Sequence, residues 1–382
     1  MLERSATDRL LALVDAFDVS PAAEALFGEA IRDAARWHHE HSAVYRGLCE
    51  LAGFDPAASA SLAEIPWVFV NAFKFHELLS VAPEDVALTL TSSGTGGQKS
   101  RIFFDRISLE RALAMVARVF DSMGLVNREE EVNYLLFAYD PQEARNVGTA
   151  YTDDNLTSFT RKRSVYHALR WDADRGEFTF RVEEAYERLL AFAAEGYPVR
   201  IFGFPAFLHK LVRFHRGLGA EPLALGRRSF VHTGGGWKKS EHEAIDKAQL
   251  RAEVEEAFGI PVANIRDGYG LVEHSVPYIE CEHHRFHVSA YARAIVRDVR
   301  TLAPLPDGEV GFLELLTPYI RSMPAHALLT SDLAELGHGC PCGREAAWIA
   351  IMGRAGTQKN KGCAIAAVES LLGDERAAGR VR

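Results

Sequence analysis

Ten consecutive residues, Thr91-Ser92-Ser93-Gly94-Thr95-Gly96-Gly97-Gln98-Lys99-Ser100, combine hydroxyl side chains with three glycines and a lysine. Glycine lets backbone N–H groups turn toward an anion, hydroxyls add donors, and Lys99 adds charge, so the string suits a phosphate. For Gly-Thr-Gly-Gly taken alone, a polar surface turn is an equal reading. The string is not a Walker A loop, which needs Gly-x-x-x-x-Gly-Lys followed by Ser or Thr. A second constellation is Cys281-Glu282-His283-His284-Arg285-Phe286-His287 with the distant Cys340-Pro341-Cys342-Gly343-Arg344. Thiolate and imidazole are the preferred ligands of structural zinc, usually four in a closed tetrahedron. A lone Cys-x-Cys is weak, but paired with a second Cys/His cluster it favours metal over chance. We assign Cys281, His287, Cys340 and Cys342, with His284 as the substitute for His287. Four protein ligands leave no open position, so such a zinc is structural.

Cys363 stands in Asn360-Lys361-Gly362-Cys363-Ala364, and Arg354, Lys359 and Lys361 make that stretch basic. Nearby cations lower a thiol's pKa and raise its thiolate fraction, which suits a nucleophile. The alternative is a small buried residue opening a helix over 364–372. Cys49 reads as helix filler.

The 382 residues are 48% hydrophobic, enough for one large domain or two ordinary ones. No stretch approaches the roughly 20 apolar residues that span a bilayer, and the polar N-terminus carries Glu3, so neither membrane insertion nor secretion is expected. A cytoplasmic location follows as the expectation. A formal charge of −9 argues against a general nucleic-acid binder, which needs a basic surface. Five cysteines, an odd number in a long chain, do not read as a disulfide framework.

The elements that must position these groups follow from periodicity. The first sixty residues read as helical, with Ser20 capping a helix that starts at Pro21 and buries Phe27, Ile31 and Ala34 or Ala35. The run Ile65 to Val70 closes this segment. A helix at about 182–195 is expected to turn Val182, Tyr186, Leu189 and Leu190 inward and to stop at Gly196. Strand 199–202 follows, then a helix from Pro205 to about Gly217, then strand 229–232 running into Thr233-Gly234-Gly235-Gly236. Ser240 and Glu243 spell a capping box for the next helix, which closes at Gly259. This alternation implies a mostly parallel sheet covered by helices, with ligands beyond the carboxyl ends of its strands. After about residue 288 shorter strands take over, with Pro306-Asp307-Gly308 as a turn between strands near 291–297 and 309–316. The apolar run Ala347 to Met352 meets Gly353-Arg354.

The Thr91–Ser100 string resembles the phosphate loop of the adenylate-forming (acyl-adenylate synthetase) superfamily, roughly Ser-Ser/Thr-Gly-Thr-Thr-Gly-x-Pro-Lys. Gln98 replaces the proline, and with the chain length and C-terminus this is similar to the acyl-protein synthetases of bacterial bioluminescence (LuxE), relatives of phenylacetate–CoA ligase. The resemblance runs from about Ile65 to Leu372, with the motifs in family order. Asp267-Gly268-Tyr269-Gly270-Leu271-Val272-Glu273-His274 is the next match. It implies that Tyr269 stacks on adenine and that Glu273 helps hold Mg²⁺; taken alone, it is also an ordinary strand-end turn. Thr233 to Gly236 resembles the adenine-pocket turn, and Trp237 beside it is either core packing or a ligand contact. Leu329-Thr330-Ser331-Asp332-Leu333 resembles the segment whose aspartate accepts from both ribose hydroxyls, with Ser331 in place of glycine. Arg354 matches the hinge arginine. Phe202-Gly203-Phe204-Pro205 lies where phenylacetate–CoA ligases carry a turn near the acyl pocket, and those relatives also carry comparable Cys…His and Cys-x-Cys-Gly-Arg segments.

The fold this implies is α/β: the large domain of an adenylate-forming enzyme, with mostly parallel sheets covered by helices, a β-rich C-terminal part and a truncated small domain. Residues 1–60 would be a helical cap, 61–354 the catalytic domain with the zinc site in 288–354, and 355–382 a tail carrying Cys363. The implied activity uses ATP and Mg²⁺ to convert a carboxylic acid, in the family a fatty acid, to acyl-AMP. Cys363 then takes the acyl group as a thioester for a reductase partner. Larger relatives place a catalytic lysine in the small domain; here Lys359 or Lys361 substitutes, or the loop acts alone. Two rivals remain: an acyl- or aryl-CoA ligase using free coenzyme A, and a non-catalytic zinc-stapled scaffold.

Overall fold

Residues 5–58, 61–91, 100–139, 156–174 and 176–355 are described by a computed structural model. They divide into two units: the first takes the described parts of Met1–Val119, Leu271–Val276 and Arg285–Arg382, the second those of Phe120–Gly270 and Pro277–His284. Ser92 to Lys99, Lys359, Lys361, Cys363 and the helix expected over 364–372 lie outside the described residues. Among the described residues no helix is long and apolar enough to cross a membrane.

Unit one begins with helices α1 (Ala6–Leu10), α2 (Pro21–His41) and α3 (Ala43–Ala52). The start of α2 follows the sequence reading: Ser20 Oγ accepts the Ala23 N–H, and Pro21 takes a first-turn position that needs no donor. Phe27, Ile31, Ala34 and Ala35 are buried beneath it, and Cys49 is buried in α3. Then come β1 (Val68–Phe69), β2 (Val86–Thr91), β3 (Arg101–Asp105) and helix α4 (Arg106–Ser122). β2 and β3 pair antiparallel with Thr91 opposite Arg101, so the two flanks of the glycine-rich string are neighbouring strands of one hairpin.

Unit two is built from β4 (Asn127–Tyr139), β5 (Thr160–Asp172), β6 (Glu177–Phe180), α5 (Val182–Glu195), β7 (Val199–Gly203), α6 (Pro205–Gly217), β8 (Phe230–Gly234), α7 (Lys247–Phe258), β9 (Ile265–Tyr269) and β10 (Tyr278–Ile279). The sheet order is β10-β9-β8-β7-β4-β5-β6. Its interior pairs are parallel, and only the edge strands β6 and β10 are antiparallel. Val132 to Phe137 of β4 is buried throughout, as a strand covered on both faces requires.

Two local expectations are corrected. Leu190 points to solvent; the buried face of α5 is Ala185, Tyr186, Leu189 and Phe192, because the apolar stripe is narrower than the run of apolar letters. Ser240 does not cap the next helix. Residues Lys238–Glu243 form a separate 3₁₀ turn, and α7 starts after Asp246, whose carboxylate accepts from the Ala248 and Gln249 N–H groups. An acid directly ahead of the apolar stripe outcompetes a capping box that lies a turn too early.

Unit one resumes with β11 (Phe286–His287), β12 (Arg293–Arg297), β13 (Val310–Leu316), β14 (Ala327–Gly337) and β15 (Trp348–Arg354). They form an antiparallel sheet in the order β11-β15-β14-β13-β12, with β1 joining β14 in parallel.

The helical segment packs into unit one through a polar cluster. His38 Nδ1 accepts from Ser80 Oγ at 2.8 Å and Nε2 faces the Ile320 carbonyl at 3.1 Å, which fixes the neutral tautomer. His326 stacks on His38 with ring centres 4.7 Å apart, and Tyr45 meets His326 edge-on. Burial holds both imidazoles neutral, His38 down to about 3. Unfolded histidines take up protons below about pH 6.5, so between about pH 3 and 6.5 the unfolded state binds more protons than the native one. Stability should therefore fall with decreasing pH through that window, by about 1.4 kcal/mol per pH unit per group at its steepest. Urea midpoints measured from pH 7.5 down to 4 check this, and His38→Gln, which keeps both hydrogen bonds, should flatten the slope. An unchanged slope in that variant would exclude His38 as a source.

Candidate active site

The parallel strands β8 and β9 end side by side, and Thr233 and Asp267 are register partners there. Thr233 Oγ1 donates to Asp267 Oδ1 at 3.0 Å, while Lys247 Nζ, at the start of α7, lies 2.5 Å from Oδ2. Both carboxylate oxygens are therefore oriented by the protein. β8 runs out through Gly234 into Gly235 and Gly236, whose φ of +74° and +70° is the left-handed region that glycine occupies without a Cβ penalty. A cleft of ≈ 70 Å³ opens at this edge, lined by Pro205, Thr233, Gly236, Trp237, Lys247 and Asp267 among others. The carboxyl edge of a parallel sheet is where such folds take ligands. Trp237 packs against the apolar core of unit two and also lines the cleft.

Tyr269 ends β9 half-buried, tilted against the buried ring of Tyr278 with centroids 5.9 Å apart, and Gly270 beside it is exposed. Beneath this turn runs a network that sequence reading missed. Glu280 Oε2 accepts the Asp267 N–H at 2.7 Å, and Arg251 Nη2 reaches both Glu280 oxygens at 2.8 and 2.7 Å. Burial alone would raise the Glu280 carboxyl, but His284, Arg251, the Asp267 amide and Lys247 together hold it down at about 2. The available signal was a lone acid inside the apolar run Pro277-Tyr278-Ile279-Glu280-Cys281, and burying a charge requires a partner.

In unit one, the structure brings together two residues that the sequence holds 22 positions apart. Asp332 on β14 and Arg354 on β15 are cross-strand partners, and Arg354 Nε donates to Asp332 Oδ1 at 2.8 Å. Asp332 is buried while the Arg354 side chain is largely exposed, so the carboxylate is held from its outer side. Asp332 N–H also donates to Thr330 Oγ1. Glu273 is buried at 5% exposure. Thr91 closes β2 at the mouth of the glycine-rich string.

His287, Cys340 and Cys342 of unit one place their ligand atoms within 4.8 Å of one another, and Cys281 stands in the segment of unit two that ends at His284. His287 Nδ1–H donates to the Ala346 carbonyl at 2.9 Å, and Nε2 is the ring nitrogen turned to Cys342 Sγ at 3.3 Å. The two cysteine turns share one form. His284 N–H bonds back to the Cys281 carbonyl and Gly343 N–H to the Cys340 carbonyl, and both third residues have positive φ. The His283 N–H also donates to Cys281 Sγ. His284, the substitute ligand, instead sits 3.4 Å from Glu280. The two thiols and one imidazole of unit one, with Cys281 as a third thiol of unit two, are ligand types that suit a thiophilic cation.

Residues 2–372 match the acyl-protein synthetase family LuxE. Among individual proteins, the chain is 28% identical over 346 residues to the long-chain-fatty-acid–luciferin-component ligase of Aliivibrio fischeri, covering 88% of this chain and 86% of the relative. It is 24% identical over 340 residues to the phenylacetate–coenzyme A ligase of Thermus thermophilus, covering 84% and 67% respectively. Among solved structures it resembles a 2-hydroxyisobutyryl-CoA ligase with a TM-score of 0.65 at 17% identity, covering 89% of this chain and 70% of the other. That likeness shows that the two chains share a fold.

Gly268 shows how tightly the β9 turn is built. A Cβ there would lie 2.6 Å from His232 Cε1 and 2.9 Å from Nε2. Gly268→Ala should destabilise the protein by about 1–3 kcal/mol, the usual cost of overpacking. In a His232→Ala background the penalty should shrink markedly; equal penalties in both backgrounds, read from denaturant unfolding, would rule out this contact as the cause.

Proposed function

The chain belongs to the acyl-protein synthetase family LuxE, and from that premise we propose ATP-dependent activation of a fatty acid as acyl-AMP, followed by transfer to the thiol of Cys363 as a thioester. It is thus an enzyme of the acid–thiol ligase class. The observation that carries the reading is the cleft at the carboxyl ends of β8 and β9, with Thr233, the Gly234–Gly236 turn and the pre-oriented Asp267 at its wall.

In the first step a carboxylate oxygen attacks the α-phosphorus; the new P–O bond forms as the bond to the β,γ-diphosphate breaks, and pyrophosphate leaves with the electron pair. The difficulty is an anion attacking a polyanion. Lys99 and the N–H and hydroxyl donors of Thr91 to Gly97 offset that repulsion and stabilise charge as it develops. Tyr269 offers its ring face to the base, and the acceptor-only carboxylate of Asp332, oriented by Arg354, suits the ribose diol. A bound Mg²⁺ would supply charge neutralisation on the phosphates, and Glu273 is the residue that would hold it. In the second step the Cys363 thiolate attacks the acyl carbon, the C–S bond forms, the C–O bond breaks and AMP departs. A reductase is the partner class that consumes such a thioester.

The cysteine cluster serves a structural zinc. Its four ligands close the coordination shell, so it takes no part in the chemistry.

Intact-mass measurement after incubation with MgATP and a panel of straight-chain acids, without coenzyme A, tests the main reading. One acyl adduct per chain is expected, together with acid-dependent pyrophosphate exchange. Cys363→Ser should retain exchange while losing the hydroxylamine-labile adduct by about 100-fold or more; loss of both would show the residue is misassigned, and acyl transfer only on adding coenzyme A would replace the protein acceptor by the free thiol.

Metal analysis should find about one zinc per chain. Cys342→Ser should lower that occupancy, and chelation should lower the unfolding temperature; metal-free protein of unchanged stability would remove the assignment.

A further inference from the structure

We propose that Glu280, fixed by Arg251, is a positioning residue for the nucleotide: it sets the place of the end of β9, Asp267 to Tyr269, from behind. The inference rests on the adenylation reading and adds a residue outside the motifs that carry it.

The geometry is a closed ring of hydrogen bonds in unit two. The β9–β10 ladder makes its last strand pair at Gly268 and Ile279. One residue on, Glu280 takes both backbone groups of Asp267: its own N–H donates to the Asp267 carbonyl at 3.0 Å, and its carboxylate accepts the Asp267 N–H at 2.7 Å. Arg251 closes the ring, with Nη2 on both carboxylate oxygens and Nε on the Ile265 carbonyl at 3.3 Å. Glu280 and Arg251 side chains are 3% and 12% exposed, so water cannot stand in for either partner.

α7 thus grips the end of β9 with two cations one turn apart. Lys247 holds the Asp267 carboxylate directly, and Arg251 holds the Asp267 backbone through Glu280. Arg251 also lines the cleft, so the same side chain touches the wall of the pocket and the back of the motif. Removing one partner of such a buried pair leaves the other charge uncompensated and the Asp267 N–H competing for a weaker acceptor. The end of β9 would then shift against the nucleotide without any loss of a group that touches it.

Glu280→Gln tests this, because glutamine keeps the shape and one acceptor but faces Arg251 without charge. The Michaelis constant for ATP in pyrophosphate exchange should rise on the order of tenfold, with kcat within about twofold and the constant for the acid unchanged. Amide exchange at residues 266–269 should accelerate by a similar factor. A merely structural role would lower the active fraction, hence kcat, and leave both Michaelis constants alone. Arg251→Lys, which keeps the charge but not the two-oxygen contact, should raise the ATP constant in the same direction, and it decides the matter if Glu280→Gln does not fold. Folded variants with an unchanged ATP constant overturn the inference while the adenylation reading stands. No acid-dependent exchange in the unaltered protein overturns both.

Discussion

A parallel strand must share its backbone donors and acceptors with neighbours on both sides, and its connections must return over the faces of the sheet. That constraint organises unit two. β4, β7, β8 and β9 all run one way, so their exits fall on a single edge. Because β8 and β9 are in register there, Thr233 and Asp267 meet without either segment needing an unusual conformation. The glycines after Thr233 then turn the backbone away and leave the cleft open. Side chains from segments far apart in the chain meet at this edge because the sheet delivers them to it.

Buried charge is the second theme, and it is used to fix the ends of strands rather than to stabilise the core. Glu280 and Arg251 hold the end of β9, and the largely exposed Arg354 holds the buried Asp332 between β14 and β15. Arg297 and Glu314 form a further buried pair across β12 and β13, with Arg297 also donating to the Ala63 carbonyl. Such pairs contribute little net stability after desolvation, but losing one partner is costly. They therefore suit positions where geometry matters more than affinity.

The cysteine cluster follows the same logic by other means. Two short turns of matching form present their sulfurs, and a histidine whose far nitrogen is committed to a carbonyl presents the nearer one. The orientation of these groups is set by contacts within the protein itself.

Much of this was legible from the order of residues alone. Helix ends at Ser20-Pro21, Gly196 and Gly259, the strand–helix alternation of 182–259 and the later shift to hairpins follow from local rules: caps, glycine at positive φ and apolar period. The motif residues were picked out by their resemblance to the adenylate-forming family, and the structure sets Thr233 against Asp267 and Asp332 against Arg354. Local rules failed where two local signals competed, as between Ser240 and Asp246, or where an apolar letter lay beyond the buried stripe, as at Leu190. What only tertiary structure decided is pairing: Asp332 with Arg354, His287 rather than His284 beside the cysteine sulfurs, and Glu280 with Arg251 and the backbone of Asp267. Those choices depend on strand register and helix placement, which bring together residues whose separation along the chain carries no trace of their distance in space.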